Sequence, residues 1–302
     1  MNDELFRKIT AAVRPFDALD LLVSVAALQL IPGNLSSTVR LEVLAHAIAT
    51  HQVQRTGKKA TGGTLQRLTN TEPLADFAIV RREDPPEWHF TAPLVWRGQP
   101  CVVFPGISDD ALFTFHQLTR AVDIAPELHP HSECLIEVHR TIAAVLRLSS
   151  ELARRAGLSR WTRAEYRGRH TIVPATRELG RLQRCVLFDR GELDQLLSDV
   201  GGSAALASLT VEFGSVQPSY DQHTGALLAK PIVRDGEAYV VALPGLLLEA
   251  ARHSILSTAS VAGAIEDIGE RYCAAVWAAT GLAKTMSHSL YRIQRIDRPS
   301  SL

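Results

Sequence analysis

Apolar residues recur at helical spacing over several stretches of this chain and alternate with polar residues over a few short ones. The longest helical pattern predicts a helix over residues 132–156, whose outer face carries Glu and Arg three or four positions apart. Other helices are predicted over 3–13, 16–30, 38–55, 108–122, 190–199 and 261–280. Short strands are predicted near 185–188 and 209–213, and Asp189 with Glu192 forms a capping box before the helix at 190.

The clearest local pattern is a strand, a tight turn, a second strand and a Pro-Gly break. It occurs over residues 231–241, where Asp235-Gly236 separates two apolar runs. Asp-Gly is a strong signal for a two-residue hairpin turn in which both central residues have positive φ. We therefore expect Asp235 and Gly236 to form the centre of this turn.

The same pattern occurs earlier in the chain, over residues 93–103, with Arg97-Gly98 at the turn. The two segments align without gaps, and five of the eleven aligned positions are identical. A Pro-Gly pair follows each segment. The chain therefore contains two hairpin–helix units, over about 90–122 and 227–256, which are candidates for an internal repeat.

Helices and strands are mixed but do not alternate regularly, and the strands that pair convincingly do so as local hairpins. This arrangement favours a helix-rich α+β fold over a doubly wound α/β sheet. The predicted organisation is a helical lobe with the first hairpin unit (1–125), a connector containing the long helix and an Arg-rich stretch (126–184), and a second lobe (185–302). The alternative is that all three segments pack as one compact domain.

Composition is that of a globular protein. The 302 residues are 46% hydrophobic and 21% charged, with 32 basic and 32 acidic side chains, so the whole chain has no excess of positive charge. The Arg-rich, Lys-poor usage resembles that of bacterial proteins from GC-rich genomes. The four scattered cysteines fit a reducing compartment, and the longest apolar run (18–31) is too short to span a bilayer. We therefore expect a soluble, cytoplasmic protein without membrane contact.

One segment is strongly basic. From Arg154 to Arg184 nine arginines stand against two acids, with two aromatic residues among them. Arginine binds phosphates through its forked guanidinium and aromatic faces stack on bases, so the mixture predicts contact with nucleic acid or another polyanion. The alternative is a solvated surface that balances acidic faces elsewhere. The predicted contact residues are Arg154, Arg155, Arg160, Trp161, Arg163, Tyr166, Arg167 and Arg169, together with Lys58 and Lys59 of a Gly-rich loop.

A second segment, from His129 to His139, holds six potential metal ligands in eleven residues. The candidates are His129, His131, Glu133 and Cys134. The pair of histidines four residues apart that a zinc-protease helix requires is absent, and a solvated helix start with Ser132 as its N-cap explains the same residues. Motifs for serine hydrolases, dinucleotide binding, P-loops and calcium loops are also absent, so no cofactor is expected.

These observations favour a non-catalytic binding or assembly module that contacts nucleic acid or another polyanion through its Arg-rich segment. A protein–protein scaffold, or the N-terminal part of a larger assembly, is the first alternative; its partner would be another protein or a second copy of the chain. A metal-dependent hydrolase built on the His129–His139 cluster is the second alternative.

Overall fold

The computed structural model describes residues 3–50, 57–75, 89–106, 133–164, 170–216 and 226–261, together with Glu266. Its helices are α1 (Asp3–Val13), α2 (Ala18–Leu28), α3 (Thr38–Ala49), α4 (Gly62–Thr69), α5 (Glu72–Ala75), α6 (Glu133–Ala156), α7 (Thr176–Val186), α8 (Arg190–Leu196), α9 (Ala226–Ala229) and α10 (Leu247–Val261). Its strands are β1 (His89–Trp96), β2 (Gln99–Val103), β3 (Thr162–Arg163), β4 (Leu187–Asp189), β5 (Thr210–Glu212), β6 (Ile232–Asp235) and β7 (Ala238–Val241). Short 3-10 turns cover Pro32–Ser37, Ser198–Val200, Gly202–Leu209 and Pro244–Leu246.

The architecture is the predicted helix-rich α+β class, with two small sheets. The first sheet has the order β2-β1-β3 and the second the order β4-β7-β6-β5. Neighbouring strands are antiparallel except β5 and β6, which run parallel. Both predicted hairpins are therefore present, each in its own sheet.

The two hairpins turn at different aligned positions. In the first, Trp96 pairs with Gln99, and Arg97 (φ 49°) and Gly98 (φ 75°) form the turn. In the second, Asp235 pairs with Ala238, so Gly236 (φ 60°) and the residue after it form the turn. The expectation of positive φ at Asp235 is wrong, because glycine takes the first turn position as in a type II′ turn and leaves Asp235 in the strand.

Helix α6 is the central packing element. Its residues Val138, Ile142, Val145 and Leu152 recur at helical spacing and are fully buried. The helix packs against β2, α7, α10 and the turn at 202–209. Its Ser150 hydroxyl accepts a hydrogen bond of 2.9 Å from the backbone N–H of Val102, which joins it to the outer edge of β2.

Helix α2 is buried along almost its whole length between α3 and α7, and it also contacts β7. Buried apolar residues from α1 through α10 form one continuous core. No single helix within the described ranges is long and apolar enough to cross a membrane; Ala18–Leu28 and Pro32–Ala49 pass such a test only together, with a bend of 115° between them.

Several boundaries differ from the predicted ones. The two glycines of the Gly-rich loop, Gly62 and Gly63, begin α4, and Thr61 caps that helix by accepting a 3.2 Å hydrogen bond from the Thr64 N–H. The strand predicted near 185–188 begins at Leu187, because residues 185 and 186 end α7. The strand near 209–213 is confirmed as β5. The predicted helices over 108–122 and 261–280 lie outside the described residues, except for positions 261 and 266.

Candidate nucleic-acid interface

The Arg-rich segment begins in the last turn of α6, where two arginines share one carboxylate. Arg154 and Arg155 donate through Nε to Glu151 at 2.7 and 2.8 Å. The hydrogen bond from Arg154, with a further one from Arg155, lowers the pKa of Glu151 below its ordinary value. Glu151 therefore stays ionised and holds both guanidinium groups in place.

Two arginines of the segment contribute to the packing of the fold. The Arg155 guanidinium lies 4.0 Å from the ring centroid of Phe188, a cation–π contact. Arg181 donates to the backbone carbonyls of Arg155 and Ala156 at 3.2 and 3.3 Å. A cation at these terminal carbonyls is favoured by the helix dipole, so Arg155 and Arg181 stabilise the junction between α6, α7 and β4.

The chain reverses direction just after α6. Gly157 has a φ of 73°, and the N–H of Leu158 donates to the carbonyl of Ala153 at 2.9 Å, which is the Schellman ending of a helix. The reversal lays the next residues along β1, where β3 pairs with it in antiparallel orientation.

Hydrogen bonds fix the short segment between α6 and β3. The buried Thr91 hydroxyl donates to the carbonyl of Ser159 at 2.9 Å and accepts from the N–H of Thr162 at 3.0 Å. The Ser159 hydroxyl donates to the Trp161 carbonyl at 2.6 Å. The backbone at Trp161 is therefore held from both sides by side chains of β1 and of the segment itself.

Trp161 is the aromatic residue that this rigid segment presents. It is 55% exposed, and its ring lies 4.8 Å from that of His89, with the two planes tilted by 58°. Arg160 and Arg163 are exposed on either side of it. Arg160 makes no ion pair within the part of the chain that the structure describes. We call His89, Arg160, Trp161 and Arg163 the Trp161 platform.

The other predicted contact residues are not part of the Trp161 platform. Tyr166, Arg167 and Arg169 lie outside the described residues. Lys58 and Lys59 are both exposed. The backbone of Lys58 pairs with that of Phe16, just before α2.

Of the four candidate metal ligands, only Glu133 and Cys134 lie within the described residues. His129 and His131 lie outside the described residues. Glu133 is exposed at the start of α6, and the Cys134 thiol lies 3.6 Å from the carbonyl of Thr258. No group of three metal-ligating side chains occurs within the described ranges.

Two features of the surface were not predicted from the sequence. His89 precedes the first hairpin pattern, and only the pairing of β1 with β3 brings it to Trp161. A cleft of about 790 Å³ also opens between the first hairpin and α6, and we call it the hairpin–helix cleft. The arginines that α6 contributes to the cleft recur every seven residues. This spacing is visible in the sequence, but only the structure shows that the first hairpin faces these arginines.

No protein-family model, curated protein or solved structure matches this chain. Function is therefore inferred from the geometry of the chain itself.

Proposed function

We propose that this protein is a binding module for single-stranded nucleic acid, in which Trp161 stacks on a base while Arg160 and Arg163 contact neighbouring phosphates. The observation that carries the proposal is the exposure of a large aromatic side chain on a backbone segment fixed by hydrogen bonds.

Stacking on a rigid platform is energetically favourable. Base–aromatic stacking contributes about 1–3 kcal/mol per base, and it tolerates any base because every base has a π face. The backbone of Ser159, Trp161 and Thr162 is already ordered by the Thr91 hydroxyl, so binding orders few further groups. His89 supports one side of the Trp161 ring and leaves more than half of the side chain open.

Electrostatic attraction of the nucleic acid acts over short distances, at Arg160 and Arg163. Basic and acidic residues are equal in number over the whole chain, so long-range attraction of a polyanion is weak. Phosphates alternate with bases along a single strand, so two arginines beside one aromatic ring can contact the phosphates on either side of a stacked base. Two phosphate contacts on a single strand predict a slope of about −1.4 in a plot of log K against log salt concentration.

Fluorescence anisotropy with a labelled single-stranded oligonucleotide tests the proposal. Trp161→Ala should weaken binding by roughly 5- to 150-fold, the equivalent of one lost stack, and Trp161→Phe by less. Arg160→Ala combined with Arg163→Ala should remove most of the salt dependence. The double variant Arg177→Ala with Arg184→Ala removes the same charge from exposed positions of α7 and should leave binding unchanged. Binding that is insensitive to salt, or equal in Trp161→Ala and the native protein, would contradict the proposal.

A further inference from the structure

The hairpin–helix cleft has the size and the mixed lining of a small-molecule site. Its volume of about 790 Å³ falls within the range of about 300–1,000 Å³ typical of ligand pockets. One wall is the turn and second strand of the first hairpin, the other is the exposed face of α6, and α8 with the turn at 198–200 closes one side.

Arginines outnumber carboxylates in the lining of the cleft. Arg140, Arg147 and Arg154 are seven residues apart on α6, so they lie along one face of the helix at intervals of roughly 10 Å. Arg97 faces them from the hairpin turn, where its guanidinium lies over the Trp96 ring at 5.3 Å from the centroid. Four arginines therefore line the cleft, against the two carboxylates of Glu151 and Asp199.

The interior of the cleft is apolar. Ala143 and Leu146 of α6 line it, and Leu196 and Val200 contribute from the side closed by α8 and the turn at 198–200. Ile136, at one end, leaves 50% of its surface exposed although it is a large aliphatic residue. A ligand that covers this surface gains roughly 25 cal/mol for each Å² of apolar area removed from water.

The central arginine of the rim is held by a carboxylate that a ligand can replace. Arg147 donates through both terminal nitrogens to the two oxygens of Asp199. The two side chains are 39% and 55% exposed, so the ion pair is a surface pair whose net contribution is small. A ligand oxyanion can take the place of Asp199 in the same bidentate geometry, because the arginine fork fits a carboxylate and a phosphate alike.

We propose that the hairpin–helix cleft binds a small organic anion, in which an apolar or aromatic body carries one terminal oxyanion. The oxyanion binds Arg147 in place of Asp199, with Arg140 or Arg97 beside it. The apolar body lies against the partly exposed side chains of Ile136, Leu196 and Val200. This site is distinct from the Trp161 platform, and it does not depend on nucleic-acid binding.

A pair of matched fluorescent probes tests the charge requirement. Anilinonaphthalene sulfonate combines an aromatic body with one sulfonate, and phenylnaphthylamine is nearly the same body without it. The native protein should bind one sulfonate probe per chain, at least tenfold more tightly than the uncharged probe. Equal affinity for the two probes would overturn the proposal.

Two substitutions with opposite expected effects locate the site. Arg147→Gln should weaken binding of the sulfonate probe about tenfold or more and leave the uncharged probe unaffected. Asp199→Asn should tighten binding of the sulfonate probe by about two- to fivefold, because the ligand no longer has to break the surface ion pair between Arg147 and Asp199. Partial unfolding exposes apolar surface and would raise binding of both probes, so tighter binding of the sulfonate probe alone separates the two causes. Arg177→Gln, outside the cleft, is the matched control. Unchanged affinity in both cleft variants would overturn the proposal.

Competition identifies the chemistry of the natural ligand. Dodecanoate and dodecyl phosphate should each displace the sulfonate probe, and the tighter competitor distinguishes a carboxylate from a phosphate ligand. Inorganic phosphate should displace it at least tenfold more weakly, because it lacks the apolar body. Equal displacement by inorganic phosphate and dodecyl phosphate would contradict an amphipathic ligand and leave only a simple anion site.

Discussion

Glu42 is a carboxyl group in the core of the protein. It lies in α3, where it is 6% exposed. Its Oε1 has no hydrogen-bond partner among the described residues. Burial raises the pKa of Glu42 to about 7, because the charged form loses its solvation. Glu42 is therefore protonated in mildly acidic solution and becomes a destabilising charge above neutrality.

The raised pKa predicts a stability that falls with increasing pH. Between pH 4.5 and about 7 the unfolded chain has released the Glu42 proton and the folded chain retains it, so unfolding releases a proton and becomes more favourable as pH rises. The full effect is about 3 kcal/mol. Chemical unfolding at pH 5 and pH 8 should show this loss in the native protein and not in Glu42→Gln, whose side chain does not ionise. Parallel pH profiles for the two proteins would show that Glu42 does not titrate in this way.

The element α8 shows how a short helix is stabilised at its first turn. It has seven residues, too few for a stable isolated helix. Asp189 accepts a 2.7 Å hydrogen bond from the N–H of Glu192, and the Glu192 carboxylate accepts one of 3.0 Å from the N–H of Asp189. The predicted capping box is confirmed, and it satisfies two N–H groups that the helix itself leaves without partners.

Removal of this cap should destabilise the protein by about 1 kcal/mol. Asp189→Ala loses the acceptor for the Glu192 N–H, and substitutions of this kind cost about 0.5–2 kcal/mol. Denaturant unfolding measures the change. Arg190→Ala, at the next position, removes only exposed ion pairs of 3.6 and 3.9 Å and should change stability by less than about 0.5 kcal/mol. Equal effects of the two substitutions would show that the cap contributes no more than surface charge.

At the scale of the whole molecule, the two hairpin units meet at their Pro-Gly breaks. Gly106 follows the first hairpin with a φ of 74°, and Gly245 follows the second. A Cβ on Gly106 would lie 2.6 Å from the Gly245 carbonyl oxygen, closer than real Cβ contacts allow. Glycine at this position therefore permits the backbones of the two units to touch.

A matched pair of substitutions tests this contact. Gly106→Ala should destabilise the protein by at least about 2 kcal/mol, because it combines an unfavourable φ with the collision. Gly245→Ala should cost less than about 1 kcal/mol, since a Cβ there meets only the Gly106 Cα, at an ordinary 3.8 Å. Thermal unfolding of both variants gives the comparison. Similar melting temperatures for the two variants would contradict the close contact between Gly106 and Gly245.

Local patterns predicted much of the secondary structure. The long helix at 133–156, both hairpins and the capping box at Asp189 follow from spacing, turn residues and hydrogen-bonding side chains within a few positions of each other. The exact turn of the second hairpin was predicted wrongly. Asp-Gly permits more than one two-residue turn, and the pairing of Asp235 with Ala238 selects one.

The candidate site was predicted only in part. Arg160, Trp161 and Arg163 follow from composition, but the same composition also included Arg155, which packs over Phe188. A count of charges along the chain does not distinguish an arginine that faces solvent from one that packs on an aromatic ring. His89 could not be included, because it lies 72 positions before Trp161 in the sequence.

The sequence by itself determined the α+β class, the long central helix, the two hairpins and the basic, aromatic character of the segment after that helix. These properties depend on residues close together in the chain, whose periodicity and backbone preferences are local. Tertiary structure alone decided that α3 buries Glu42, that β3 brings Trp161 to His89, and that the first hairpin faces the arginines of α6 across a cleft. Each of these depends on contacts between distant segments, which are set by the packing of one shared core rather than by any local pattern.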